Sequence, residues 1–298
     1  MHFKPILFGL LFIPLLTEFP ITPCVGAPQV KGSAQYKDSL NQALLEAAYE
    51  GNTANVQTAL SRGAQVDAQD WRGFTALMAA SREGHKDIVQ LLLNRGARPD
   101  VRNFIGRTAL MQAVVADQTE IAKILLAHGA DPFAKDRENT PVWRIAVTGR
   151  GANTLHVLLD KKINVNSRDS GGATILMCAT QGAITDMVKM LIARGANVNL
   201  QDNKGATALM LSTTESRTKC LKVLLDAGAR MEMRDKAGRT ALMYAVGPWG
   251  DVESVKLLLQ KGANRQARDL QGRSVLQLAQ KSGNFDEATI IALLRKSP

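Results

Sequence analysis

Residues 75–100 read TALMAASREGHKDIVQLLLNRGARPD, and this stretch decides the fold. It contains two apolar segments with helical spacing, which Glu83 and Gly84 separate and Gly96 closes. A glycine directly after a helix supplies the left-handed backbone conformation that commonly ends the last turn. The stretch therefore predicts two short antiparallel helices followed by an extended turn.

The same pattern returns along the chain at a nearly fixed period. TALM occurs at residues 75–78, 108–111, 207–210 and 240–243, and TILM occurs at residues 174–177. The spacings between unit starts are 32 to 34 residues, which is typical of a solenoid in which each unit packs on its neighbours. Aligned on the threonine, the unit starts are Gln42, Thr75, Thr108, Thr140, Thr174, Thr207, Thr240 and Ser274.

The loops between units also share a pattern. An aspartate precedes most of the threonines, as in QDWRGF and QDNKGA, and we expect it to accept backbone hydrogen bonds in a turn. The threonine hydroxyl is expected to cap the next helix. With these features the chain resembles ankyrin-repeat proteins, whose units carry D-x-x-G-x-T-P-L-H-x-A, then G-H, L-L and G-A-D. The resemblance covers Gln42 to the C-terminus and implies an all-α fold, an ankyrin-repeat solenoid of about eight helix-turn-helix units with extended β-turn loops.

The departures from the family pattern predict local irregularity in two units. Only Pro141 keeps the family proline, and Trp143 takes the histidine position of unit four. That unit also carries one extra residue and has Lys162 and Ile163 in place of glycine and alanine. Unit seven carries an insertion, GPWG, at residues 247–250.

The methionines of the repeated word could serve packing, metal binding or redox chemistry. Equivalent residues of stacked helices are separated by roughly 8–10 Å, whereas two sulfurs that share a metal lie within ~4.6 Å. Neighbouring methionines therefore cannot share an ion, and a packing role is favoured over a redox role. The five are Met78, Met111, Met177, Met210 and Met243.

The N-terminus has the layout of a secretory signal peptide. Lys4 precedes an apolar run at residues 6–16, which is too short to span a bilayer. We expect residues 1–27 to be removed, with Gly26 and Ala34 as rival cut sites. The protein is then exported, and is periplasmic or secreted.

Residues 28–38 are polar and aperiodic, so they predict a flexible tether ahead of the repeat domain at residues 39–298. Lipidation of Cys24 is an alternative fate for the N-terminus. It is the weaker alternative, because Pro23 stands where the lipidation motif needs a small flexible residue.

The sequence carries no recognisable catalytic motif. It lacks H-E-x-x-H, a serine elbow and C-x-x-C, and its four histidines lie far apart. We therefore expect no enzymatic activity, no cofactor and no metal site. Cys178 and Cys220 are interpreted as buried thiols, with a disulfide between them as the alternative in an exported protein.

The resemblance implies that a partner binds along the concave face, through the loop positions before each threonine and the end of the first helix. Trp71 and Phe104 are one repeat apart, so they are expected side by side on adjacent loops, and aromatic residues near arginine are typical of binding hot spots. The chain is thus predicted to be a monomeric, non-enzymatic scaffold for another protein, with no nucleic-acid partner and no stable membrane span. The candidate positions are Tyr49, Trp71, Arg72, Phe74, Arg82, Phe104, Ile105, Arg107, Val115, Val147, Gln181, Asn203, Lys204, Thr214, Lys236 and Arg239.

The formal net charge of +10 supports an alternative function. In it, a basic solenoid binds an anionic polymer or a membrane surface through Arg107, Lys204, Lys236 and Arg239. Acidic residues are interspersed with the basic ones along the chain, however, which is typical of a solvated surface. Protein binding is therefore the first prediction.

Overall fold

The computed structural model describes residues 33–149, 151–161, 163–214 and 217–295. The predicted signal peptide at residues 1–27, including Cys24, lies outside these ranges, as do residues 28–32 of the tether. Within them the chain forms sixteen helices: α1 (Ser33–Glu50), α2 (Thr53–Ser61), α3 (Ala76–Glu83), α4 (Lys86–Asn94), α5 (Ala109–Val115), α6 (Thr119–Ala127), α7 (Val142–Thr148), α8 (Ala152–Asp160), α9 (Ile175–Gln181), α10 (Thr185–Ala193), α11 (Ala208–Leu211), α12 (Thr218–Asp226), α13 (Ala241–Ala245), α14 (Val252–Gln260), α15 (Val275–Gln280) and α16 (Glu287–Arg295).

The first helix extends further towards the N-terminus than the sequence analysis placed it. Residues 33–38 belong to α1 and not to the predicted tether. Leu40, Leu44 and Ala47 of α1 are buried in the core, and neither proline nor glycine interrupts residues 33–50. The helix therefore continues ahead of its packed face.

The helices pair into eight units that form two layers. The first helix of each unit packs on the first helix of the next, as α3 does on α5, and the second helices pack similarly, as α4 does on α6. One continuous apolar core runs from Leu40 to Ile290 between the layers. No helix in the part of the chain that the structure describes is long and apolar enough to cross a membrane.

The repeated threonine begins the first helix of a unit, as predicted. In four units its hydroxyl accepts the backbone N–H of the methionine three residues on, at 3.2–3.4 Å. All five methionines of the repeated word are at most 3% exposed, so their packing role is confirmed. In unit five the Met177 sulfur also accepts the Thr174 backbone N–H at 3.4 Å, which completes a reciprocal cap.

Glycine follows the second helix in six units, and its backbone is left-handed in each of them. The φ angles lie between 81° and 98°, in the region that a side chain with a Cβ rarely adopts. The predicted helix endings are therefore confirmed at Gly63, Gly96, Gly129, Gly195, Gly228 and Gly262.

Unit four is irregular for a reason other than the predicted one. Pro141, and not Thr140, precedes α7, and the bridge between Lys135 and Pro141 matches the bridge between Gln69 and Thr75. Pro141 therefore occupies the threonine position, and the spacing to the units on either side is 33 residues, so no residue is added. By the same count Arg144, and not Trp143, takes the family's histidine position.

Candidate partner-binding surface

Each loop between units is held by one carboxylate or amide near its start. The Asp70 Oδ1 atom accepts backbone N–H groups from Arg72 at 2.8 Å and Phe74 at 2.7 Å. The predicted turn role of the aspartate is confirmed, because the equivalent residues bond the chain two and four residues on in the same way. These equivalents are Asn103, Asp136, Asp169, Asp202, Asp235 and Asp269.

The residue before this anchor links adjacent loops. Gln69 donates through Nε2 to its own loop at the Gly73 carbonyl, 2.8 Å away, and to the next loop at the Arg102 carbonyl, 2.9 Å away. Arg102 repeats the pattern through Nη1, which lies 2.5 Å from the Lys135 carbonyl. The series continues from Arg168 to Gln201, Arg234 and Arg268. Long amide and guanidinium donors at this position thus link the first three loops to one another and the last four loops to one another.

Backbone hydrogen bonds fix the loop tips against one another. The Phe104 N–H donates to the Arg72 carbonyl at 3.0 Å, and the Arg137 N–H donates to the Ile105 carbonyl at 3.0 Å. A Cβ on Gly73 would lie 2.9 Å from the Phe104 Cδ1 atom, so the Phe104 ring rests against the preceding loop. The prediction that Trp71 and Phe104 lie on adjacent loops is confirmed.

The tips of the first loops expose apolar and aromatic side chains. Trp71 is 81% exposed and Phe104 is 54% exposed, and Ile105 is also exposed. The Arg72 guanidinium carbon lies 5.2 Å from the Trp71 ring centroid and 5.1 Å from the Phe74 centroid. We name Trp71, Arg72, Phe104 and Ile105 the N-terminal loop patch. It combines flat apolar area with a stacked cation, as interface hot spots do.

The other predicted apolar positions divide between surface and core. Tyr49 is exposed, whereas Phe74 and Val115 are half-buried and pack against the core. Val147 is 2% exposed, so its assignment to the binding face is wrong. Counting from Pro141 places Thr148 at the end of the first helix, and Thr148 is exposed.

Two of the four predicted basic residues form ion pairs with carboxylates. Arg239 contacts Asp235 at 2.7 Å, and its guanidinium carbon lies 4.6 Å from the Tyr244 ring centroid. The Arg107 Nε atom lies 3.8 Å from an Asp136 oxygen.

The Tyr244 hydroxyl closes this cluster by donating to the Asp235 carboxylate at 2.8 Å. Burial and that hydrogen bond raise the pKa of Tyr244 to about 12. Burial acts to raise the pKa of Asp235, but hydrogen bonds from Arg239 and Tyr244 lower it overall. The cluster therefore serves as an ionised anchor of its loop.

The remaining candidates are polar and lie at the surface. Lys204 and Lys236 are exposed on neighbouring loops, and the Lys236 backbone N–H donates to the Lys204 carbonyl at 2.9 Å. Arg82 is exposed with its Nε atom 3.8 Å from a Glu83 oxygen. Gln181 and Asn203 are exposed, and Thr214 is half-buried with a buried hydroxyl that has no hydrogen-bond partner.

The disulfide alternative is not realised. Cys178 and Cys220 are both buried, free thiols. The Cys178 Sγ atom lies 3.6 Å from the Arg144 Nη1 atom, whereas the Cys220 Sγ atom lies 3.5 Å from the Thr185 hydroxyl. Burial raises the pKa of the Cys178 thiol.

Four exposed apolar residues were missed by the sequence analysis. Leu270 occupies the same loop position as Trp71 and Phe104, because its N–H donates to the Ala237 carbonyl as that of Phe104 does to Arg72. Continuing the repeat count from Trp71 would have found it. The others, Phe133, Trp249 and Phe285, lie outside the loop tips.

Comparison with known proteins agrees with this architecture. A family model described as "Ankyrin repeats (3 copies)" matches residues 44–136, 143–235, 181–269 and 227–297. No curated protein sequence matches the chain. A similar solved structure is the crystal structure of the ankyrin repeat domain of Bcl-3, described as a unique member of the IkappaB protein family. It aligns with a TM-score of 0.65 and 23% identity, over 73% of this chain and 97% of that one.

The Bcl-3 likeness shows the fold, and the family model covers well over half of the sequence. The predicted all-α solenoid is confirmed. The chain belongs to the ankyrin-repeat family.

Proposed function

We propose that this chain is a non-enzymatic scaffold that binds another protein along its concave face, with the N-terminal loop patch at the centre of contact. The observation that carries the proposal is the exposure of Trp71, Phe104 and Ile105 on loops that hydrogen bonds hold together. Pre-ordered aromatic side chains lose little conformational freedom when a partner covers them.

The loops fix the backbone conformation of the patch in the unbound protein. Arg72 stacks on Trp71 and Phe74, and its carbonyl accepts the Phe104 N–H. Binding therefore needs few rearrangements, and its free energy comes chiefly from covering the aromatic rings. Truncating such a hot-spot residue typically costs about 2 kcal/mol or more, which is roughly a 30-fold loss of affinity.

The test is affinity capture with purified wild-type protein and two variants. Trp71→Ala combined with Phe104→Ala should fold normally and lose the captured partner. A matched control, Lys204→Ala combined with Lys236→Ala, should retain it, and capture should depend weakly on salt. If the lysine variant loses its ligand, and the ligand leaves steeply with added salt, the chain is instead the basic solenoid that binds an anionic polymer or membrane surface.

We propose further that the scaffold acts as a monomer after export, in the periplasm or outside the cell. Lys4 and the apolar run at residues 6–16 support export. N-terminal sequencing of the protein from its native source should find a start near residue 28, and light scattering should give the monomer mass. Recovery of an intact Met1, or of a dimer, contradicts the respective part.

A further inference from the structure

Two turns at the C-terminal end of the solenoid form a second surface, separate from the loops between units. The GPWG insertion follows α13, and Asn284 lies in the turn between α15 and α16. Its side-chain Nδ2 donates to the Gly247 carbonyl at 2.8 Å and to the Gly250 carbonyl at 2.9 Å. Asn284 is buried, so one amide fixes both turns relative to each other.

The backbone of the insertion is packed too closely for a larger residue. A Cβ on Gly250 would overlap the Ala245 carbonyl, and Gly250 also bridges to Thr214 of the previous unit. The insertion therefore packs closely against the rest of the fold. Its conformation places Trp249 outward.

Two large aromatic side chains stand exposed on these fixed turns. Trp249 is 72% exposed and Phe285 is 89% exposed. Both line an open cleft of about 600 Å³, together with Pro248, Asp251, Glu253 and Asp286. We name it the aromatic cleft. Exposed apolar patches mark interaction sites, and aromatic residues are enriched in interfaces.

The charge of the cleft is opposite to that of the protein. Among the described residues that line it, Asp251, Glu253 and Asp286 are acidic and none is a lysine or an arginine, although the chain carries a formal net charge of +10. Asp251 is committed to capping α14 through the Ser254 N–H at 2.9 Å. Glu253 lies 3.4 Å from Lys256 and remains largely exposed, and Asp286 is exposed at the start of α16.

The cleft and the N-terminal loop patch lie on opposite edges of the solenoid. A loop joins the second helix of one unit to the first helix of the next, whereas the cleft is built from turns between the two helices of one unit. Because those helices are antiparallel, the two kinds of connection lie at opposite helix ends. One partner surface can therefore be altered without the other.

We propose that the aromatic cleft binds an arginine- or lysine-bearing segment of a partner protein. The cation rests on the face of Trp249 or Phe285, where the ring quadrupole attracts it, and the carboxylates of Glu253 and Asp286 complement its charge. An acidic segment is disfavoured by the same carboxylates.

The test uses two short fluorescein-labelled peptides of matched length. One alternates arginine with glycine and serine, and the other has glutamate in place of arginine. Fluorescence anisotropy should detect binding of the arginine peptide to the full chain, even though the net charge of the protein opposes it. Trp249→Ala should weaken this binding by about 3- to 30-fold, the range expected for a cation–π contact.

A second readout locates the bound peptide. In a Trp71→Phe background the remaining tryptophans are buried Trp143 and exposed Trp249, so protection from iodide quenching by the arginine peptide reports on Trp249. Phe285→Ala should weaken binding as Trp249→Ala does, and Trp71→Ala should leave it unchanged. Since both cleft aromatics are exposed, circular dichroism should show unaltered folding in these variants.

Four outcomes would overturn the inference. The arginine peptide does not bind, it binds the Trp249→Ala and Phe285→Ala proteins as tightly as the wild type, or the glutamate peptide binds equally well. Loss of binding in Trp71→Ala alone would also overturn it, by placing the peptide on the N-terminal loop patch.

Discussion

Replacing Thr207 and Thr240 by valine, one at a time, is expected to change stability in opposite directions. The two threonines occupy the same position of adjacent units and are both buried. The Thr207 hydroxyl accepts the Met210 N–H at 3.3 Å and caps α11. The Thr240 hydroxyl makes no cap and is buried without a hydrogen-bond partner.

The magnitudes follow from those two environments. Thr207→Val removes the acceptor of a helix cap, which costs about 1 kcal/mol. Thr240→Val removes a buried, unpaired hydroxyl whose desolvation costs roughly 1–3 kcal/mol, so it should stabilise by about 1 kcal/mol. The two variants should therefore differ in their free energy of unfolding by about 2 kcal/mol.

Equilibrium urea unfolding and thermal melts measure the difference. For a chain of this size, 1 kcal/mol corresponds to about 2–4 °C in Tm, so the midpoints should move apart by roughly 4–8 °C. Thr75→Val, which removes an equivalent cap at 3.2 Å, provides a control and should behave as Thr207→Val does. Equal destabilisation by Thr207→Val and Thr240→Val would refute the reasoning, because it would mean that the Thr240 hydroxyl has a partner.

Three further predictions concern the loops and the thiols. Arg102→Met should lower the unfolding free energy by about 1 kcal/mol, because it removes donors to two loop carbonyls, whereas Lys135→Met at the equivalent position should change it little in the same urea assay. The Tyr244 pKa of about 12 exceeds the ordinary value near 10, so the protonated hydroxyl contributes stability that is fully present below pH 10 and is lost as the pH rises from 10 to about 12; Tyr244→Phe should remove the last step of the phenolate absorbance titration. Cys178 and Cys220 should react with a thiol reagent only after unfolding, and peptide mapping that finds either one labelled in the native protein would contradict their burial.

The repeat period predicted the elements correctly because each unit is built from contacts close in sequence. The capping threonine, the loop aspartate and the glycine after the second helix each act within about five residues. A pattern that recurs every 33 residues therefore reveals them directly. Unit four shows the limit of prediction from the repeat pattern. Thr140 and Pro141 both match the family pattern, and only the bridge from Lys135 to Pro141 shows which of them occupies the threonine position.

For the candidate surface, the sequence correctly identified Trp71, Phe104 and Ile105 as exposed and misplaced Val147. The error followed from the one-residue shift of unit four, which turns a surface position into a core position. Leu270 could have been found by the repeat count alone. The hydrogen bonds that join Arg239 to Asp235 and Tyr244 could not have been found in this way, because they depend on side-chain geometry.

The sequence by itself determined the solenoid, the phase of all but one unit and the loops that carry the N-terminal loop patch, because a repeated local code specifies a repeated local structure. Only the tertiary structure decided which long donors join the loops, which basic residues are already paired, and that Trp249 and Phe285 line one cleft. The loop donors and the two cleft aromatics join residues about one repeat apart, and the pairing of Arg239 with Asp235, four residues away, depends on side-chain geometry, so the repeat spacing encodes none of these features.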